Sequence, residues 1–203
     1  METCFQIVSC LLLGVGLSAT CGFKVFVPAF AISIGAHAGF VELSPSFAWL
    51  GSWPAILLLG TATILEILAY YIPVVDNFMD SLELPAAAIA GTIIVASTMV
   101  ADIAPLAKWS LAIIAGGGTA VAIKTATSTV RGASTVVTAG FGNWIVNTVE
   151  TVCSLVCSLL SILSPLLGIL LVLGIFILVC FLLHRHVVKV RANRKAVQPD
   201  CIQ

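Results

Sequence analysis

Residues 53–75 read WPAILLLGTATILEILAYYIPVV, and Glu66 is the sole charge between Trp53 and Val75. As an α-helix this stretch rises ~34 Å, enough to cross the ~30 Å hydrocarbon core of a bilayer. It sets the pattern for the chain. Of 203 residues, 60% are hydrophobic and 9% charged, against about 25% charged in a soluble domain. Mean hydropathy is +1.17. So few charges cannot cover a water-facing surface, so lipid must face much of it. The composition predicts an all-α, polytopic membrane bundle, one domain over 1–203 with the bilayer as its first partner.

Working outward from Trp53, the preceding apolar stretch runs from Phe5 to His37. Gly22 and Pro28 interrupt it, so it reads as one long or broken helical unit. A loop with Glu42, Pro45 and Gly51 follows. Beyond Val75, the residues Asp76, Asp80 and Glu83 read as an acidic loop. Leu84 to Ala101 reads as a third span, and Asp102, Pro105 and Lys108 as another loop. Trp109 to Ile123 is apolar and Gly-rich, then turns polar from Lys124 to Thr138. Asn143 to Leu163 is a fifth span carrying Glu150, Pro165 turns the chain, and Leu166 to Leu183 is the sixth. Six units place both termini on one side. The basic tail, 184–203, puts that side in the cytoplasm. As a topology signal this tail outweighs any reading as a nucleic-acid patch. Glu2, with no Lys or Arg before Gln6, argues against a secretory signal.

The chain also resembles itself at a spacing of one hundred residues. Gly16 to Lys24 aligns with Gly116 to Lys124, each running from Gly through small residues to a terminal Lys. The next helix of each half then carries one Glu, Glu66 and Glu150. Taken as a repeat, the halves are about 5–101 and 106–183, three units each, with a long or broken first helix. An odd number of crossings inverts the second half, and such inverted repeats put a site at the midplane.

Charges inside spans cost ~3 kcal/mol each on insertion scales, and they persist where paired, hydrated or functional. Three polar stripes at helical spacing carry them: Thr63, Glu66 and Tyr70; Lys124, Thr127, Ser128, Arg131, Thr135 and Thr138; and Asn143, Asn147, Glu150, Ser154, Ser158 and Ser161. Such stripes avoid lipid and face one another or water. They serve either as glue between helices or as the lining of a hydrated pathway. Lys24, Glu66, Tyr70, Lys124, Arg131, Asn147 and Glu150 are the expected binding residues. Glu66 and Glu150 are expected to converge on one centre, compensated by Lys24 and Lys124. A Glu in such a place suits a proton or cation, whereas Lys24, Lys124 and Arg131 suit an anion.

Other chemistry has little to stand on. His37, His184 and His186 form no metal or nucleophile motif, and no phosphate loop or nucleophile elbow occurs. Gly116 to Gly118 reads as close helix packing, and Cys153 and Cys157, four residues apart, as packed thiols. No enzyme, metal or cofactor is expected. The expected function is a transporter or channel for a small ion or polar solute, with a homo-oligomer compatible. The alternative is a scaffold or assembly protein whose buried charges only pair helices.

Gly22-Phe23-Lys24-Val25-Phe26-Val27-Pro28, then Leu65-Glu66-Ile67-Leu68-Ala69 with Ile72-Pro73 and Asp76, then Lys124, Arg131, Asn143-Trp144 and Glu150, resemble three motifs of one family. It is the bacterial membrane family catalogued as domain of unknown function 4126. The resemblance runs from about Gly14 to Leu183 and implies an inner-membrane protein, without naming a substrate. Tyr70-Tyr71 stands where many members carry an acidic-basic pair. Thr138 to Phe141 stands where many carry a Ser-Pro-Glu-Pro-like stretch.

Overall fold

The computed structural model describes residues 2–100, 103–138, 142–178 and 181. Among them there are helices and no strand: α1 (Glu2–Cys21), α2 (Phe26–His37), a 3-10 segment (Pro45–Gly51), α3 (Trp53–Ala69), α4 (Pro73–Thr98), α5 (Pro105–Leu111), a π segment (Ala112–Gly117), α6 (Gly118–Thr138), α7 (Asn143–Leu163) and α8 (Pro165–Leu178). Among the described residues, three stretches are long and apolar enough to cross a membrane: Ser81–Thr98, Pro105–Gly132 and Asn143–Leu163. The 3-10 segment and α3, bent by 66°, make a fourth if the pair counts as one span.

Polarity is inverted relative to a water-soluble fold. Buried positions on α7 are Asn143, Asn147, Glu150, Ser154, Cys157, Ser158 and Ser161. Trp144, Ile145, Val149, Val152, Leu155, Leu159 and Leu163 face outward on the same helix. Lipid solvates the second set and cannot solvate the first, so all six residues of the expected α7 stripe turn inward.

The acidic loop expected at Asp76, Asp80 and Glu83 does not exist as a loop. Pro73 stands in the first turn of α4, which runs on through Pro85 to Thr98. Proline costs little at the first helical position, and acidic residues complement a helix N-terminus. Likewise Pro105 and Lys108 belong to a helical run that continues through the π segment to Thr138.

α1 and α2 form the expected broken unit, but the second piece does not continue the first. A Cβ on Gly16 would lie 2.9 Å from the Ser161 hydroxyl, and one on Gly35 would lie 3.4 Å from Ile162. Were the two helices collinear, Gly16 and Gly35 would stand ~28 Å apart at 1.5 Å per residue. Instead they meet adjacent residues of α7, so α2 returns beside α1. The turn, Gly22 to Val25, lies inside the bundle.

Taking the end near Gly51, Ser97 and Ser161 as the base, the other directions follow from contacts. Gly51 packs on Ala36 and Gly60 on the Phe30 ring, so α3 rises past the descending α2. Gly14 packs on Val95 and Gly91 meets Ala120 and Ser18, so α4 descends along α1. Thr20 bonds Ser158 while Gly16 meets Ser161, so α7 also descends along α1. α8 then rises: Ile169 packs near Gly16, and Val172, Ile175 and Phe176 share a cluster with Ala19, Phe23 and Ile123.

These directions overturn the inverted repeat. Ser18 bonds the Gly116 carbonyl at 2.6 Å, and Thr127 bonds the Gly22 carbonyl at 3.2 Å. A Cβ on Gly22 would lie 2.8 Å from the Ala120 carbonyl. Contacts therefore advance together along 16–24 and 116–127, and the two stretches run side by side in the same direction. An inversion requires opposite directions. The folding back of α2 also changes the count of crossings: α1 begins at the base, whereas the described end of α8 lies beside Phe23, away from the base. The basic tail is outside the described residues.

The π segment marks a tight crossing of α4. A Cβ on Gly91 would lie 2.9 Å from the Gly116 carbonyl and 2.8 Å from the Ala120 methyl. Backbone touches backbone there, which only small residues permit. At the base, Ser44 N–H donates to the Ser97 carbonyl at 2.8 Å, and Lys108 donates to Ser44 and to the Met99 carbonyl at 2.6 and 3.1 Å.

Candidate functional site

A helix broken inside an apolar bundle exposes polar ends. The last carbonyls of α1 and the first N–H groups of α2 lose their intrahelical partners where no bulk water reaches them. Each of the three polar stripes answers this problem. From α3, the Glu66 carboxylate accepts the Val25 N–H at 2.7 Å and the Phe26 N–H at 3.1 Å. From α6, the Thr127 hydroxyl donates to the Gly22 carbonyl. From α7, the Ser154 hydroxyl donates to the Thr20 carbonyl at 3.4 Å. No side chain of α2's own cap does this work.

Among the described residues, six buried acidic and basic side chains lie around the break: Lys24, Glu66, Glu83, Lys124, Arg131 and Glu150. Lys124 pairs with Glu83 across α6 and α4, and Arg131 pairs with Glu150 across α6 and α7. Lys24 Nζ sits 3.4 Å from the centroid of the Tyr70 ring, and the Arg131 guanidinium carbon sits 4.2 Å from it. Cations favour the face of an aromatic ring, more so where water is excluded. Tyr70 therefore links the Lys24 side of the cluster to the Arg131–Glu150 side. Lys24 and Lys124 both lie within electrostatic reach of Glu66.

The structure brings Lys24, Tyr70, Arg131 and Glu150 together as a chain of contacts, with Glu66 one turn and Thr63 two turns before Tyr70, both buried on the same face of α3. It corrects part of the expected pairing. Lys124 pairs with Glu83 and Glu150 with Arg131, whereas Lys24 stays within electrostatic reach of Glu66, which also sits on a helix N-terminus. Asn147 is buried one turn before Glu150, and neither atom of its amide finds a hydrogen-bond partner among the described residues. The α6 stripe faces inward as far as Arg131, whereas Thr135 is exposed and bonds Asn143.

Glu83 escaped sequence reasoning because it stood among acids read as a loop. The signal was present: Ile72-Pro73 followed by acidic residues marks a helix start, which carries Glu83 into the third turn of a span. The cluster is closed in this conformation, its ion-paired side chains being 5% exposed or less. A hollow of about 360 Å³ lies at the base, lined by Ala36, His37, Val41, Leu43 and Gly51, away from the charges.

Comparison with known proteins finds no match among curated proteins or solved structures. A family model does match, over residues 11–185, and that range contains α2 to α8 with every residue of the cluster. The chain belongs to the family described as domain of unknown function (DUF4126).

Proposed function

We propose that this chain is an integral membrane transporter or channel that passes a small ion or polar solute through the cluster at the α1–α2 break, captured here closed. The observation that carries the reading is Glu66 seated on the N-terminus of α2 inside the bundle. Broken helices whose half-helix ends meet charged groups at depth are a recurrent way to build such sites. Two features support it. Exposed tryptophans stand at both ends, with Trp49, Trp53 and Trp109 at the base and Trp144 at the opposite end, as at membrane interfaces. Lys124 lies ~22 Å along the helix from Trp109, and Glu150 ~9 Å from Trp144, so the cluster falls between those levels.

Energetics separate this from the scaffold reading. Replacing a buried ion pair by apolar residues is often neutral or stabilising. Helix pairing alone therefore does not require six ionisable groups at this depth. The closed pairs Lys124–Glu83 and Arg131–Glu150 are what favour a scaffold. On the transport reading the protein performs no covalent chemistry. Its place is a bacterial inner membrane, with the basic end of the chain cytoplasmic and the start of α1 on the other side.

Proteoliposomes screened over protons, cations, anions and small organic acids test this. Glu66→Gln and Glu150→Gln should each abolish flux in protein that still folds. Unchanged flux in both, or no flux of any solute by wild type, leaves the scaffold reading.

A further inference from the structure

We propose that Asn147 and Glu150 form a binding site for a small uncharged molecule with a primary amide group, urea included. This deepens the transport reading and rests on it, because it names the substrate class, although binding is measured apart from flux. Both residues lie on the inward face of α7, 1% and 4% exposed. Their spacing of three residues stacks the side chains on one helix face, with Cβ atoms ~5–6 Å apart. Among the described residues, neither the nitrogen nor the oxygen of the Asn147 amide has a hydrogen-bond partner. Arg131 occupies one oxygen of Glu150, and the other, Oε1, has no partner. Buried polar atoms are almost always bonded, so bare atoms on two neighbouring inward side chains call for a polar occupant.

The bare atoms specify its chemistry. An Asn amide donates from nitrogen and accepts at oxygen, and a carboxylate oxygen only accepts. A primary amide is the complement. Its carbonyl accepts from Asn147 Nδ2 while one N–H donates to Asn147 Oδ1, which closes a ring of two hydrogen bonds. Its second N–H remains for Glu150 Oε1. A carboxylate brings no N–H for either acceptor, and an ammonium or guanidinium brings no acceptor for Nδ2. Charge points the same way. Among the buried described residues, Lys24, Lys124 and Arg131 balance Glu66, Glu83 and Glu150. An ion would add an uncompensated charge, and a few hydrogen bonds do not repay its desolvation. An uncharged molecule leaves the balance intact.

Position gives the route. α7 starts at the Trp144 end, so Asn147 lies ~4.5 Å along the helix from Trp144 and Glu150 ~9 Å. Asn147 therefore stands on the interface side of the Arg131–Glu150 pair. The molecule meets it first, and the pair closes the way on to Lys24 and Glu66.

Saturation-transfer NMR on the purified full chain in micelles tests this. Formamide is compared with its anionic and cationic counterparts, formate and formamidinium, and with N,N-dimethylformamide, which has no N–H donor. Formamide should bind saturably, roughly tenfold or more tighter than each of the other three. Asn147→Leu, which keeps the approximate size of the side chain and removes its hydrogen bonding, should lose the formamide signal. Formate or formamidinium binding as tightly as formamide overturns the proposal, and so does formamide binding that persists in Asn147→Leu. If that variant does not fold, the ranking of the four probes on wild type decides. Proteoliposomes separate the two readings. Ion flux with no formamide binding sinks this site and keeps transport, whereas saturable formamide binding with no flux of any solute keeps the site and sinks transport.

Discussion

The pair joining Lys124 to Glu83 is the contact least foreseeable from the chain, and it can be weighed directly. Both side chains are almost fully buried, 1% and 3% exposed. Lys124→Met removes the cation and leaves Glu83 as an uncompensated charge between α4 and α6, with one of its oxygens already unbonded. Breaking a buried pair from one side costs about 3–5 kcal/mol, and Glu83→Leu should cost a similar amount from the other side. The double variant Glu83→Leu, Lys124→Met removes both charges and fills similar volume, so it should return to within about 2 kcal/mol of wild type. The coupling in the double-mutant cycle is then several kcal/mol, above the 0.5–3 kcal/mol common for neighbours. Reversible denaturant titration in mixed micelles, read by far-UV circular dichroism, gives the four stabilities. Additive losses, with the double variant as unstable as the sum of the singles, would show that the two groups do not share a buried pair and would refute the reasoning.

Four further outcomes follow from named contacts. Tyr70→Phe keeps the ring under Lys24 and Arg131 and should stay within about 1 kcal/mol of wild type, whereas Tyr70→Leu should lose about 2 kcal/mol or more in the same titration. Gly91→Val drives a side chain into the Gly116 carbonyl and Ala120, so it should cost about 3 kcal/mol and lower the yield of monodisperse protein on size exclusion. In a cysteine-free background, Val8→Cys and Phe40→Cys should react with an impermeant thiol reagent from the same side of the membrane, and Tyr71→Cys from the other. Val8 and Phe40 reacting from opposite sides would mean that α1 and α2 cross as one helix. Thr127→Val and Ser154→Ala each strip a hydroxyl donor from a carbonyl at the break, Gly22 and Thr20 respectively, and each should cost about 1 kcal/mol by thermal unfolding.

Hydropathy was enough to say that this chain is helical and lies in a membrane, because each residue's cost in lipid is its own and adds along the sequence. The same one-body cost turned Glu66, Tyr70, Lys124, Arg131, Asn147 and Glu150 inward, since lipid rejects them wherever the helices stand. The partners were another matter. Lys124 to Glu83 spans 41 residues, and Val25 to Glu66 another 41, and which carboxylate meets which donor depends on how helices cross. The hairpin of α1 and α2 was equally hidden, because the apolar run from Phe5 to His37 satisfies lipid whether it continues or folds back. Tertiary packing made that choice, with Gly16 and Gly35 set on one turn of α7 and Glu66 capping the helix end that the turn exposes. Once the chain doubled back, the stretches that look alike at a spacing of one hundred residues came to lie parallel, and the symmetry they implied was lost to the direction of the helices.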